Sequence, residues 1–166
     1  MHHLNWSISL VLVCLFFAQV PSQKDWRGLA PLKSNRADVE RLLGKADVNF
    51  ENQLLTYHLS DSIVSFQFTG NPGCAKELNY SSWNVPAETL TAIKVRLKQQ
   101  MLSINSGIDF SKLKKVKGDP DLPGHYYYSD TESGFSIEVG DRFILGYVYE
   151  PEPKKTNLRC PIKVNP

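Results

Sequence analysis

The stretch HYYYSDTESGFSIEVGDRFILGYVY, His125 to Tyr149, decides the reading of the fold. It divides into three segments with a period of two. The first runs from His125 to Asp130. The second runs from Phe135 to Val139, with Phe135, Ile137 and Val139 on one face. Gly140-Asp141 is a two-residue turn of the kind that closes hairpins. Phe143, Leu145, Tyr147 and Tyr149 then alternate through a third segment, Arg142 to Tyr149. Alternation interrupted by polar turns marks antiparallel strands. It also places Tyr127 on the face opposite Tyr126 and Tyr128.

Upstream, Asp109 or Ser111 caps a predicted short helix through Val116. Phe110, Leu113 and Val116 are spaced by three, and Gly118-Asp119-Pro120 ends the segment. The same order occurs earlier in the chain. Ser34 is the expected N-cap of a helix from Asn35 to Leu43. Val39, Leu42 and Leu43 form its apolar stripe, Arg36 and Glu40 pair on the other side, and Gly44 stops it. Gln53–Leu59 and Ile63–Thr69 alternate across Ser60-Asp61-Ser62 and read as a hairpin. A turn-rich loop follows. A third strand, Thr89 to Lys98, sends Ile93, Val95 and Leu97 inward and Lys94, Arg96 and Lys98 outward. Tyr57-His58-Leu59-Ser60-Asp61 aligns with Tyr126-Tyr127-Tyr128-Ser129-Asp130. The expectation is an α+β protein of tandem helix–three-stranded antiparallel sheet units, residues 23–108 and 109–150, with a Pro-rich tail over 151–166.

The chain has 166 residues, 42% hydrophobic and 22% charged, the composition of a soluble domain. A net charge of +2 gives no reason to expect a nucleic-acid binder. The apolar run from Ile8 to Val20 is too short to span a bilayer, which takes about 20 residues. It fits the core of a secretory signal, although His2 and His3 stand where Lys or Arg is usual. Residues 1–22 are therefore read as a signal peptide, with an uncleaved membrane anchor as the alternative; cleavage leaves an exported protein with no stable membrane span. Cys14 lies in that segment after Val13, not after the small residue that lipidation needs. Cys74 and Cys160 remain. In an oxidising compartment two thiols suggest one disulfide; two free thiols are the alternative.

Two resemblances accompany these patterns. The unit from Ser34 to Thr69, with Val39-Glu40-Arg41-Leu42-Leu43-Gly44 followed by an aromatic strand and a strand alternating toward Phe, resembles the helix-plus-sheet unit of small outer-membrane-assembly lipoproteins and of β-lactamase-inhibitor proteins. The inhibitor proteins carry it in tandem. Nearly the whole chain is similar to a group of uncharacterised exported bacterial proteins. That similarity rests on Asp25-Trp26-Arg27-Gly28-Leu29, Arg36 to Gly44, Trp83-Asn84-Val85-Pro86 and Leu158-Arg159-Cys160-Pro161. It implies export and a shared fold and no activity. The sequon Asn79-Tyr80-Ser81 matters only in a eukaryotic secretory route, which this resemblance disfavours.

Candidate chemistry is sparse. His58 and His125 each fall in the first strand of a half, where a tandem fold could relate them as a metal pair or as acid and base. No HExxH, GxSxG or phosphate-cradling glycine loop occurs. Asp119 and Asp121 flank Pro120 and read as turn chemistry. Lys112, Lys114, Lys115 and Lys117 form a basic run. Together with Lys94, Arg96 and Lys98 they could make a patch for an acidic partner, although residues 109–166 balance at 9 basic and 9 acidic side chains. The density of tyrosines around Tyr126 and Tyr128 suits protein recognition. The expectation is a monomeric, exported, non-catalytic binding or assembly module of the envelope or extracellular space. Its partner would be another envelope or extracellular protein, and no cofactor or metal is expected. The candidate protein-binding residues are Tyr126, Tyr128, Lys94, Arg96 and Lys98, with Cys74 and Cys160 as the disulfide. A small hydrolase using His58 or His125, and a small-ligand carrier, are the alternatives.

Overall fold

The structure is a computed structural model that describes residues 24–50, 53–70, 74 and 83–160. The signal segment and the sequon lie outside the described residues. One helix, α1 (Arg36–Leu43), precedes eight strands: β1 (Val48–Phe50), β2 (Leu54–His58), β3 (Ser62–Phe68), β4 (Leu90–Leu102), β5 (Lys114–Lys117), β6 (His125–Ser129), β7 (Phe135–Gly140) and β8 (Phe143–Tyr149). They form a single antiparallel sheet in the order β1-β2-β3-β4-β8-β7-β6-β5. Two four-stranded meanders thus meet where β4 pairs with β8, with Ile93 opposite Tyr149 and Val95 opposite Tyr147.

This corrects the expected α+β tandem of helix–three-stranded units: the chain is mostly one antiparallel sheet with a single α-helix among the described residues. Among the described residues each half has four strands, the halves share one sheet, and the second half has no α-helix. Phe110–Lys112 makes only a 3-10 turn, with Asp109 accepting from Ser111 N–H at 3.2 Å. The chain then extends into β5. A helix as short as the one expected there would barely repay its nucleation, whereas an edge strand gains main-chain bonds at once. Phe110 and Leu113 pack against the core, while Val116 is 44% exposed. At the first helix the cap is Asn35, one residue later than expected. Its Oδ1 accepts from Asp38 N–H, and Asp38 Oδ2 accepts from Asn35 N–H, both at 3.0 Å. Ser34 instead turns inward, where its Oγ accepts from Ala30 N–H at 3.1 Å.

The pleat gives the sheet a covered and an open face. Leu55, Val64, Phe66, Ile93, Ile137 and Ile144 are fully buried on the covered face, in register across the strands. Val39 of α1, Trp26 and Leu29 pack onto them. Trp26 and Tyr57 both meet Phe66 edge-on, at 5.5 and 5.7 Å. The open face carries a row of mostly polar side chains that includes Thr56, Ser65, Lys94, Ser136 and Ser129. Cys74 and Cys160 are joined across 86 residues, with Cα atoms 5.4 Å apart. Trp83 and Arg159 form a bridge beside this link, and the Arg159 guanidinium sits 4.9 Å from the Trp83 ring. Among the described residues, no helix is long and apolar enough to cross a membrane.

Candidate functional site

Tyr126 and Tyr128 project from β6 on the covered face, beyond the region that α1 covers. Register places them opposite Val139 and Ile137 of β7 and opposite Lys117 and Lys115 of β5. Here the covering element is the turn before β5, whose Phe110 ring meets Tyr128 edge-on at 4.9 Å. Lys115 Nζ stands 3.7 Å from the Tyr126 ring centre and 5.7 Å from that of Tyr128. The β7–β8 turn adds Asp141 and Arg142. Asp141 holds a left-handed φ of 55°, which Asp tolerates better than most side chains, and its N–H donates to Gly124 O at 3.0 Å. Together these groups and Ser103 line a cleft of about 320 Å³.

The cleft presents three aromatic rings and two cations. No ion pair engages Lys115 or Arg142 among the described residues. Rings with cations at their rim suit a ligand that offers both apolar surface and carboxylate. Beside the cleft lies an apolar tip. Leu102 pairs with Phe143 across β4 and β8, and Ile104 follows on the next turn. These three are exposed, Ile104 by 86%. Two larger depressions, of about 430 and 500 Å³, flank α1. They lack aromatic walls, and Arg36, Glu40, Asp38 and Arg41 in their linings are already engaged in the Arg36–Glu40 and Arg41–Asp38 pairs.

The expected binding set does not form one surface. Lys94 and Arg96 stand on the open face of β4, and Lys98 follows them by alternation. Tyr126 and Tyr128 are on the other face. The two lysine groups do not adjoin either. Lys94 and Lys114 share a row but lie four strands apart, about 19 Å at ordinary strand spacing. His58 and His125 lie on the same face five strand spacings apart, about 24 Å, too far to share a metal or a substrate.

His125 belongs to a buried network. Asp119 N–H donates to its Nδ1 at 2.8 Å, so the ring hydrogen lies on Nε2 and reaches Glu138 Oε1 at 3.0 Å. The other Glu138 oxygen is 3.8 Å from Lys94 Nζ. Gly118 passes so close that a Cβ there would stand 2.3 Å from Nδ1. Burial raises the pKa of the neighbouring Tyr127 phenol, helped by the Glu138 and Asp119 charges. Asp119 Oδ1 accepts from Asp121 N–H at 2.9 Å, the turn role expected for this pair. Phe110 and Arg142 were not legible as site residues. Phe110 gave only an apolar-spacing signal, and Arg142 gave none.

No family model matches the sequence, and no curated protein matches it. The chain is similar to a DUF4309 family protein, YjgB, from Bacillus subtilis subsp. subtilis str. 168. The crystal structure of that protein superposes with a TM-score of 0.47 at 16% identity, covering 80% of this chain and 86% of that one.

Proposed function

We propose that this protein is an exported, non-catalytic recognition module of the periplasm or extracellular space, and that it grips another protein at the β5–β6 cleft. The observation that carries this reading is the cleft itself: Phe110, Tyr126 and Tyr128 with Lys115 and Arg142 at the rim, beside exposed Leu102, Ile104 and Phe143. Aromatic and arginine side chains next to exposed apolar residues are the usual anchors of protein recognition. The Cys74–Cys160 bond is consistent with an oxidising, exported compartment. Both ring nitrogens of His125 are occupied by structural bonds, which favours binding over hydrolysis. Tyr126 replaced by p-benzoylphenylalanine should photocrosslink the protein to a discrete partner in its native compartment. The same group at Ser136, on the open face, should not, and Arg142→Glu should abolish the Tyr126 adduct. Equal adducts from both positions, or none from position 126, would overturn the proposal.

A further inference from the structure

Strand β5 ends the sheet, so one of its two edges is unpaired among the described residues. Register says which main-chain groups lie along that edge. Gly118 N–H donates to His125 O at 2.9 Å. Hydrogen-bonded pairs alternate along an antiparallel ladder, so Lys114, Val116 and Gly118 bond to β6. The N–H and C=O groups of Lys115 and Lys117 point off the edge. Side chains alternate in step. Lys115 and Lys117 lie on the cleft side, and Lys114 and Val116 on the open face. All four residues are exposed. Lys114, Lys115 and Lys117 have no ion pair among the described residues.

We propose that β5 accepts an extended acidic segment of a partner protein as an added strand, a reading that rests on the adjoining cleft being a recognition site. Main-chain pairing would supply affinity, and side chains at alternate positions would supply specificity. Acidic residues at every second position would lie beside Lys115 and Lys117. An apolar residue between them would lie beside Val116. Charge complementarity selects the occupant. Edge lysines repel a second copy of the same edge, and the same lysines attract a strand of opposite charge. The lysines are divided between the two faces of the sheet, so no single plane collects them, which disfavours an anionic bilayer as the occupant.

The test uses the chain from residue 23 onward and a capped synthetic octapeptide alternating Glu and Val. A peptide with the same composition in two blocks, the Lys–Val counterpart, and phosphatidylcholine vesicles doped with phosphatidylglycerol serve as comparisons. The alternating acidic peptide should bind and should protect the Lys115 and Lys117 amides from hydrogen exchange. Lys117→Ala should weaken binding by up to about fivefold, the reach of one exposed charge pair. Lys117→Pro should abolish it, because proline removes an outward N–H that the fold does not use. The same peptide N-methylated on alternate amides tests the pairing without altering the protein, and at least one of its two registers should fail to bind. Equal binding of both methylated registers would overturn the added strand. So would binding without protection at Lys115 and Lys117, or binding to vesicles in place of the peptide. In each of those outcomes the cleft reading is judged separately, by the Tyr126 adduct.

Discussion

His125→Ala removes the partner of a buried carboxylate. His125 and Glu138 are each 7% exposed, and Lys94, the other group near Glu138, is half exposed. The substitution deletes the 3.0 Å bond from Nε2 to Glu138 and the 2.8 Å bond from Asp119 N–H to Nδ1. A hydrogen bond to a charged group is worth about 1.5–3 kcal/mol and a neutral one about 0.5–1.5 kcal/mol. Lys94 keeps part of the compensation for the stranded carboxylate. The expected loss of folding stability is therefore about 3 kcal/mol, near the lower end for a broken buried pair. Glu138→Gln retains the shape and an acceptor oxygen and should cost about 1 kcal/mol. His125→Leu with Glu138→Leu should recover more than the single changes predict, with a coupling of about 1.5 kcal/mol. Urea unfolding followed by the fluorescence of the tryptophans, Trp26 and Trp83 among them, reads all of these at constant slope. A His125→Ala protein within about 0.5 kcal/mol of the parent would refute the reasoning. It would mean that the imidazole is dispensable to the fold and free for chemistry.

Three further outcomes follow from the same structure. Replacing Cys74 and Cys160 by Ser opens an 86-residue loop, which the chain-entropy relation values at about 4–5 kcal/mol. A shift in the denaturation midpoint worth under 1 kcal/mol would count against the bond as the main tie of the C-terminal segment. Hydrogen bonds from the Ser133 hydroxyl and from Glu132 N–H hold the Asp130 carboxyl below its ordinary value. Its contribution is present above the unfolded value and is lost as pH falls through the lowered folded one. The stability gap between the parent and Asp130→Asn should therefore close on acidification, and a gap that widens would contradict the assignment. Burial raises the phenol pKa of Tyr147 and Tyr149, so their neutral form stabilises the fold below the ordinary tyrosine range and this is lost as pH rises. Ultraviolet titration should show these two ionising only with alkaline unfolding.

Much of the sheet was legible because alternation is a local signal. Val64, Phe66 and Phe68 announce β3, and Phe135, Ile137 and Val139 announce β7. The cysteine pair followed from counting once Cys14 was assigned to the signal. Other features depend on partners that local pattern does not encode. β1 has three residues, all exposed, and no periodicity to find. The spacing of Phe110, Leu113 and Val116 fits a helix, but a turn followed by a strand also buries Phe110 and Leu113. Alternation put Tyr126 and Tyr128 on one face and Lys94 and Arg96 on outward positions of another strand. It did not say that β4 would join β8, which sets those outward positions on the opposite face of the same sheet. The cleft needed the β5–β6 register, because only that pairing brings Lys115 over Tyr126.

Amide hydrogen exchange along β5 in the free protein tests the central claim most directly. Lys114, Val116 and Gly118 should be protected by their bonds to β6, while Lys115 and Lys117 exchange at rates close to those of an open chain. Protection at all five would contradict an available edge, and protection at none would contradict a strand there at all.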